Sequence, residues 1–186
     1  MLTDDEQKTL LALARRTLET VVVEGKKLRA VRLDDLALTP ALEERRGAFV
    51  TLTGGATGEL RGCIGMPEPV EPLYRTVMDS ARSAALNDPR FAPVTAAEVP
   101  KVRIEISALT PMEPCANPAL IEIGVHGLML EWQGRRGLLL PQVPVEWSWD
   151  RDTFLQQLCR KSNVPDKTWK KPDAKLQWFR AQVFGE

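Results

Sequence analysis

Histidine is almost missing from this chain, with His126 the single example in 186 residues. One imidazole excludes any metal site built on a histidine cluster and leaves one such base for proton transfer. Cysteine is scarce as well. Cys63, Cys115 and Cys159 form an odd set without a C-x-x-C pair, which argues against a disulfide framework or a self-contained zinc motif and predicts free thiols. Net charge is absent, because 25 basic and 25 acidic side chains cancel, so no global field draws the protein to nucleic acid or an anionic membrane. No apolar run approaches about 18 residues. The acidic N-terminus (Asp4, Asp5, Glu6) has no apolar leader, so neither membrane spanning nor secretion is expected and the cytoplasm is the default. Carboxylates are scattered without EF-hand or paired spacing, and Gly54–Gly58 lacks the Lys-Ser/Thr ending of a phosphate-cradling loop. No metal site is expected, and no cofactor is indicated.

What is present describes an ordinary folded protein, 44% hydrophobic and 27% charged, long enough for one domain or two small lobes. Thr3 and Glu6 form a capping box ahead of Leu10, Leu13, Ala14, Leu18 and Val21, an amphipathic helix that Gly25 ends. Residues 26–40 read as a connector, and residues 41–46 are too few to classify. Ala48–Leu52 and the stretch from Leu60 to Gly65 read as a hairpin around the Gly54–Gly58 turn. Pro72 opens a helix carrying Leu73, Val77, Ala81, Ala84 and Ala85, which Asn87-Asp88-Pro89 stops, because a residue before proline avoids α geometry.

Further on, Thr95 and Glu98 could cap one turn, and Lys101–Leu109 alternates as a strand with one wet face. Pro111, Pro114 and Pro118 mark a linker, the candidate lobe boundary near 111–118. Ile121 to Trp132 alternates, the residues 133–136 turn, and 137–141 return. A helix bears Phe154, Leu155, Leu158 and Cys159, and Lys175–Phe184 is expected to be one final strand. Five tryptophans gather late in the chain and suit core or lobe contacts better than a base-stacking platform. Strands and helices segregate without a β-α-β cycle, which points to α+β.

The stretch Leu60-Arg61-Gly62-Cys63-Ile64-Gly65 is the candidate site by its chemistry. Gly62 and Gly65 let another group approach the backbone, and simple alternation would send Arg61 and Cys63 to one face with Leu60 and Ile64 to the core. A guanidinium beside a thiol favours the thiolate. The competing reading is that Cys63 is a small apolar filler. His126 is the one imidazole that could serve Cys63 as a base, although a turn role beside Gly127 suits His126 better. Arg90-Phe91, just past the helix stop, reads either as a clamp for the fold or as part of a binding cleft. Cys159 reads as core and Cys115 as incidental.

Five segments, in order, resemble the AMMECR domain family: Leu60–Gly65, Asn87-Asp88-Pro89-Arg90-Phe91, Glu105–Ser107 with Leu109-Thr110-Pro111, Gly124–Leu128, and Gly137–Val143. Bacterial and archaeal members are called AmmeMemoRadiSam system protein A. Coverage is essentially the whole chain, 1–186. The resemblance implies an α+β fold of two unequal lobes, each a mainly antiparallel sheet with flanking helices, and a cleft between them. It also implies a system containing a Memo-like protein, related to non-haem iron dioxygenases, and a radical SAM protein, with no reaction attached. Its motifs fall on Arg61, Gly62, Cys63, Gly65, Asp88, Arg90, Phe91, His126 and Gln142. Ser162 and Asn163 depart from an Ala-Gly frequent in the family. Two functions follow as expectations: a cysteine-dependent enzyme with Cys63 as nucleophile, His126 as base and arginines for an anionic substrate, or a non-catalytic module that binds a small molecule, peptide or partner.

Overall fold

Thr3 Oγ1 accepts the Glu6 N–H at 3.3 Å while the Glu6 carboxylate accepts the Thr3 N–H at 2.8 Å, so both partners of the capping box are engaged. This opens α1 (Asp4–Leu18), whose Leu10, Leu13, Ala14 and Leu18 are fully buried. The helix runs on into a π-helical turn, Glu19–Val23, and ends at Gly25 with φ +64°. The computed structural model describes residues 1–54 and 58–186. The tip of the expected Gly54–Gly58 turn lies outside them.

The chain forms two compact units. The first takes Met1–Leu109 and Gln182–Glu186. It contains α1, a short α2 (Pro40–Glu43), β1 (Ala48–Gly54), β2 (Glu59–Met66), α3 (Leu73–Leu86) and β3 (Arg103–Leu109). β1 pairs antiparallel with β2 on one side and β3 on the other, and with β8 (Ala181–Gly185) the sheet order is β2-β1-β3-β8, so the expected hairpin is present. Ala48, Val50 and Leu52 of β1 and Ile104, Ile106 and Ala108 of β3 are buried with Leu73, Val77, Ala81 and Ala84 of α3. Period-2 strands and a period-3.6 helix thus share one apolar core. The opposite face of the sheet carries Phe49, Thr51 and Thr53 against Gly65, Cys63 and Leu60.

The second unit, Thr110–Ala181, has the sheet order β4-β7-β5-β6. Its elements are β4 (Glu113–Pro114), β5 (Gly127–Trp132), β6 (Arg135–Leu139), α4 (Gln142–Glu146), α5 (Arg151–Lys161) and β7 (Lys175–Phe179). Phe154, Leu155, Leu158 and Cys159 of α5 pack with Leu128, Leu130 and Leu176, which places Cys159 in the core as expected. The architecture is α+β, with two four-stranded sheets, each flanked by helices.

Several expectations are corrected. The proline linker includes strand β4, and Cys115 is a core residue rather than an incidental one, with its N–H bonded to Leu176 O at 2.9 Å. Residues 121–126 form no strand: the Val125 and His126 N–H groups both return to Glu122 O, so pairing starts only at Gly127. The final strand is two. It breaks at Arg180, leaving β7 in the second sheet and β8 (Ala181–Gly185) in the first, because the two halves answer to different partners. Four of the five tryptophans, 132, 149, 169 and 178, pack on the second core, whereas Trp147 is 68% exposed.

Candidate functional site

Cys63 sits on β2, an edge strand of the first sheet. The pairing is regular from Ala48↔Met66 to Leu52↔Gly62 and then slips to Thr53↔Leu60, leaving Arg61 as the unpaired residue of a β-bulge. One extra residue reverses the alternation. Leu60 therefore falls on the face of Thr51 and Cys63 and is 40% exposed, not in the core as simple alternation predicts. Arg61 leaves the ladder and reaches Glu98, with Nε to Oε1 at 2.7 Å, and also donates to Ala92 O at 2.7 Å and Pro93 O at 3.2 Å. Glu98 in turn accepts from Thr95 N and Oγ1. The Arg61 hydrogen bond, followed by those from Thr95, holds the Glu98 carboxyl down at about 2.

The two glycines have different neighbours. A Cβ on Gly62 would come within 2.1 Å of Ala84 O, so α3 lies directly on the strand backbone there. At Gly65 the cross-strand partner Phe49 lays its ring over the missing side chain, with ring carbons 2.3 Å from where a Cβ would stand. Gly127 and its partner Phe179 repeat this device in the second unit. Both glycines of the Cys63 segment are therefore close-packing positions.

Pairing with β1 leaves the Cys63 N–H and C=O on the open edge, and the loop after α3 closes it. The Asn87-Asp88-Pro89 stop swings the Asp88 carboxylate to accept the Cys63 N–H at 2.9 Å, and Arg90 Nη2 donates to Cys63 O at 3.3 Å. Arg90 also grips Asp88, with Nε to Oδ1 at 3.0 Å and Nη2 to Oδ2 at 2.8 Å, while its backbone N–H bonds Oδ1 at 3.1 Å. The pair supplies the donor and acceptor that a neighbouring strand would provide, and so caps the edge. Asp88 is buried, and its carboxyl is held well below the usual carboxylate range, first by Arg90 and then by the two N–H groups, against the cost of burial. The Arg90 guanidinium lies 5.4 Å from the centre of the Phe91 ring, and its side chain remains 54% exposed.

Cys63 itself is half-buried, whereas the other two thiols are buried. Its Sγ accepts a hydrogen bond from Thr51 Oγ1 at 3.3 Å, and on the far side of Thr51 the same row continues to exposed Glu105. The sequence marks Glu98 only as a cap partner of Thr95, Glu105 only as part of a family segment and Thr51 only as a strand residue, none of them as a site residue. Only the register and the bulge bring them to Arg61 and Cys63. Among the described residues no group of three or more His, Cys, Asp and Glu could hold a metal ion.

His126 and Gln142 belong to the second unit. His126 is 6% exposed, stacked on Trp178 with ring centres 4.7 Å apart, and its Nδ1 accepts the Glu122 N–H at 3.1 Å. That bond assigns the proton of the neutral ring to Nε2. Burial, with Arg180 adding, pushes its pKa down. Gln142 begins α4.

Comparison with known proteins covers nearly all of the chain. It is 44% identical to a protein of Methanothermobacter thermautotrophicus, spanning 100% of this chain and 96% of the relative. It is 43% identical to a Methanopyrus kandleri protein over 100% of this chain and 90% of that one. The crystal structure of an uncharacterised protein from Pyrococcus horikoshii superposes with a TM-score of 0.81 at 39% identity, over 95% of this chain and 89% of that one. No described helix is long and apolar enough to cross a membrane. With the AMMECR1 family model matching residues 11–184, the chain belongs to the AMMECR1 family.

Proposed function

We propose that this protein is an enzyme that uses Cys63 as a nucleophile on a small anionic substrate, with Arg90 as the fixed cation beside it. One observation carries the reading: Cys63, the one half-buried thiol, has its N–H, its C=O and its Sγ each tied by a separate group, Asp88, Arg90 and Thr51. A sulfur that keeps its position between turnovers saves the ordering cost at reaction. Arg90 can serve because Asp88 anchors one side of its guanidinium while Nη1 makes no hydrogen bond among the described residues. Arg61 is already committed to Glu98 and two carbonyls, so its part is to hold the bulge. His126 in the role of base would have to release the Glu122 N–H from Nδ1. Family membership supports a setting beside Memo-like and radical SAM proteins.

The test compares alkylation of Cys63 by iodoacetate and by neutral iodoacetamide, with glutathione as the reference thiol. A cation at the thiol raises the iodoacetate-to-iodoacetamide rate ratio about tenfold over glutathione, and Arg90→Gln returns it to the glutathione value. A ratio equal to that of glutathione in the native protein refutes the proposal.

A second reading has its own observation: Asp88, Arg61 and the Nδ1 of His126 are all occupied by partners within their own units, as in a scaffold that binds without chemistry. Partner or ligand binding that survives Cys63→Ser and weakens in Arg90→Gln distinguishes it.

A further inference from the structure

A second site lies on the first unit, where residues 28–33 cross α3. A cavity of 320 Å³ opens there between Leu28, Arg29, Val31 and Leu33 on the crossing segment and Tyr74, Arg75, Met78 and Asp79 on the helix. The helical residues fall at i, i+1, i+4 and i+5, which puts Tyr74 above Met78 on the inner side and Arg75 above Asp79 on the outer. The floor is a small core of its own: Val31 and Met78 are 6% and 7% exposed and pack with Leu13. Two cations stand at the mouth. Arg75 donates its Nε to Tyr74 Oη at 3.0 Å, which orients the guanidinium and leaves both Nη groups without a partner among the described residues. Arg29 makes no hydrogen bond or ion pair among them, whereas Asp79 lies 3.8 Å from Arg82.

The size is at the lower end of ligand pockets, roughly 300–1,000 Å³. Its floor is aliphatic, its polar groups are confined to the mouth, and the uncommitted charge there is positive. We infer that this cavity binds a medium-chain aliphatic carboxylate, chain inward against Leu28, Val31, Leu33 and Met78, with the headgroup held by Arg29 and Arg75. Planar guanidinium groups match a carboxylate with two parallel hydrogen bonds, which a neutral alcohol cannot reproduce. The inference does not rest on any chemistry at Cys63.

The experiment is calorimetric titration of the full chain with octanoate and with octan-1-ol, together with mapping of amide shifts. The expected result is saturable one-site binding of octanoate at least about tenfold tighter than octanol, with the shifts centred on residues 28–33 and 74–79. Arg29→Gln combined with Arg75→Gln changes only exposed side chains and lowers octanoate affinity about tenfold, leaving octanol unaffected. Leu33→Trp fills the cavity and removes binding of both. Equal affinity for the two probes, shifts centred elsewhere, or no saturation by about 10 mM overturns the inference. The shift map on the native chain decides the matter even if Leu33→Trp fails to fold.

Discussion

Replacing Asp88 by asparagine removes the charge from a carboxylate whose side chain is 2% exposed and which accepts from Cys63 N, Arg90 N, Arg90 Nε and Arg90 Nη2. Oδ1 accepts from Arg90 N and Nε and Oδ2 from Cys63 N and Arg90 Nη2, so an amide in either orientation sets its NH2 against two donors, and both lose their acceptor. Hydrogen bonds to a charged group contribute about 1.5–3 kcal/mol each, but the Arg90 side chain is 54% exposed and its share is screened toward ~1 kcal/mol or less. The other orphaned donor is a backbone N–H, that of Cys63 or of Arg90 according to which way the amide lies, and it has no such relief, since water does not readily replace a buried acceptor. The expected loss is therefore about 3 kcal/mol, a fall in Tm of about 6–12 °C for a chain of this length.

All five tryptophans, 132, 147, 149, 169 and 178, are in the second unit, so their fluorescence follows the wrong half of the molecule. Hydrogen exchange at the Cys63 amide reports on the first, and far-UV circular dichroism in urea on both units together. The pH dependence adds a signature. Because the folded pKa of Asp88 lies below its ordinary 3.8, the unfolded chain binds more protons as pH falls past that value. The contribution is complete above about pH 4 and lost progressively below it, and Asp88→Asn lacks this part of the acid limb. Unchanged Cys63 exchange with a stability loss under about 0.5 kcal/mol would refute the edge-cap account.

Gly62→Ala should cost about 3 kcal/mol or more in urea unfolding, because its Cβ would meet helix backbone, Ala84 O at 2.1 Å, and Gly65→Ala should cost a similar amount, since its Cβ would meet strand backbone, Ala48 O at 2.5 Å, as well as the Phe49 ring. A cost under about 1 kcal/mol at either position would contradict the close packing. His126, followed by its imidazole proton resonances, is expected to titrate below 6.5; the stability it confers is present above that pH and declines as pH falls toward the lowered folded value. A pKa at or above 6.5 would contradict the burial argument. Glu98→Gln should remove the charge partner of Arg61, which keeps Ala92 O and Pro93 O, and flatten stability between about pH 4.5 and pH 2, the window in which the native carboxyl stays charged and the unfolded one does not. An unaltered acid limb would show that the Arg61–Glu98 pair is too well hydrated to matter.

Much of the organisation was present in local pattern. The capping box of α1, the apolar spacing of α1, α3 and α5, the β1/β2 hairpin and the alternation of β3 are set by neighbours a few residues away, where propensity and periodicity act. The family motifs likewise marked Cys63, Asp88 and Arg90 before any geometry placed them together. Tertiary structure decided what depends on counting across strands. The bulge at Arg61, which sends Leu60 outward and Arg61 to Glu98, exists only in the pairing with β1, and nothing in the residues from Leu60 to Gly65 announces it. The closing of the β2 edge by Asp88 and Arg90, 25 and 27 residues from Cys63, has the same character. So does the division of the terminal stretch at Arg180: its alternation continues from Lys175 to Phe184, but which sheet each half joins is fixed by the partner strands, β5 for one and β3 for the other. Local sequence sets the period of a strand, and the register, the edge and the partner come from contacts made across the fold.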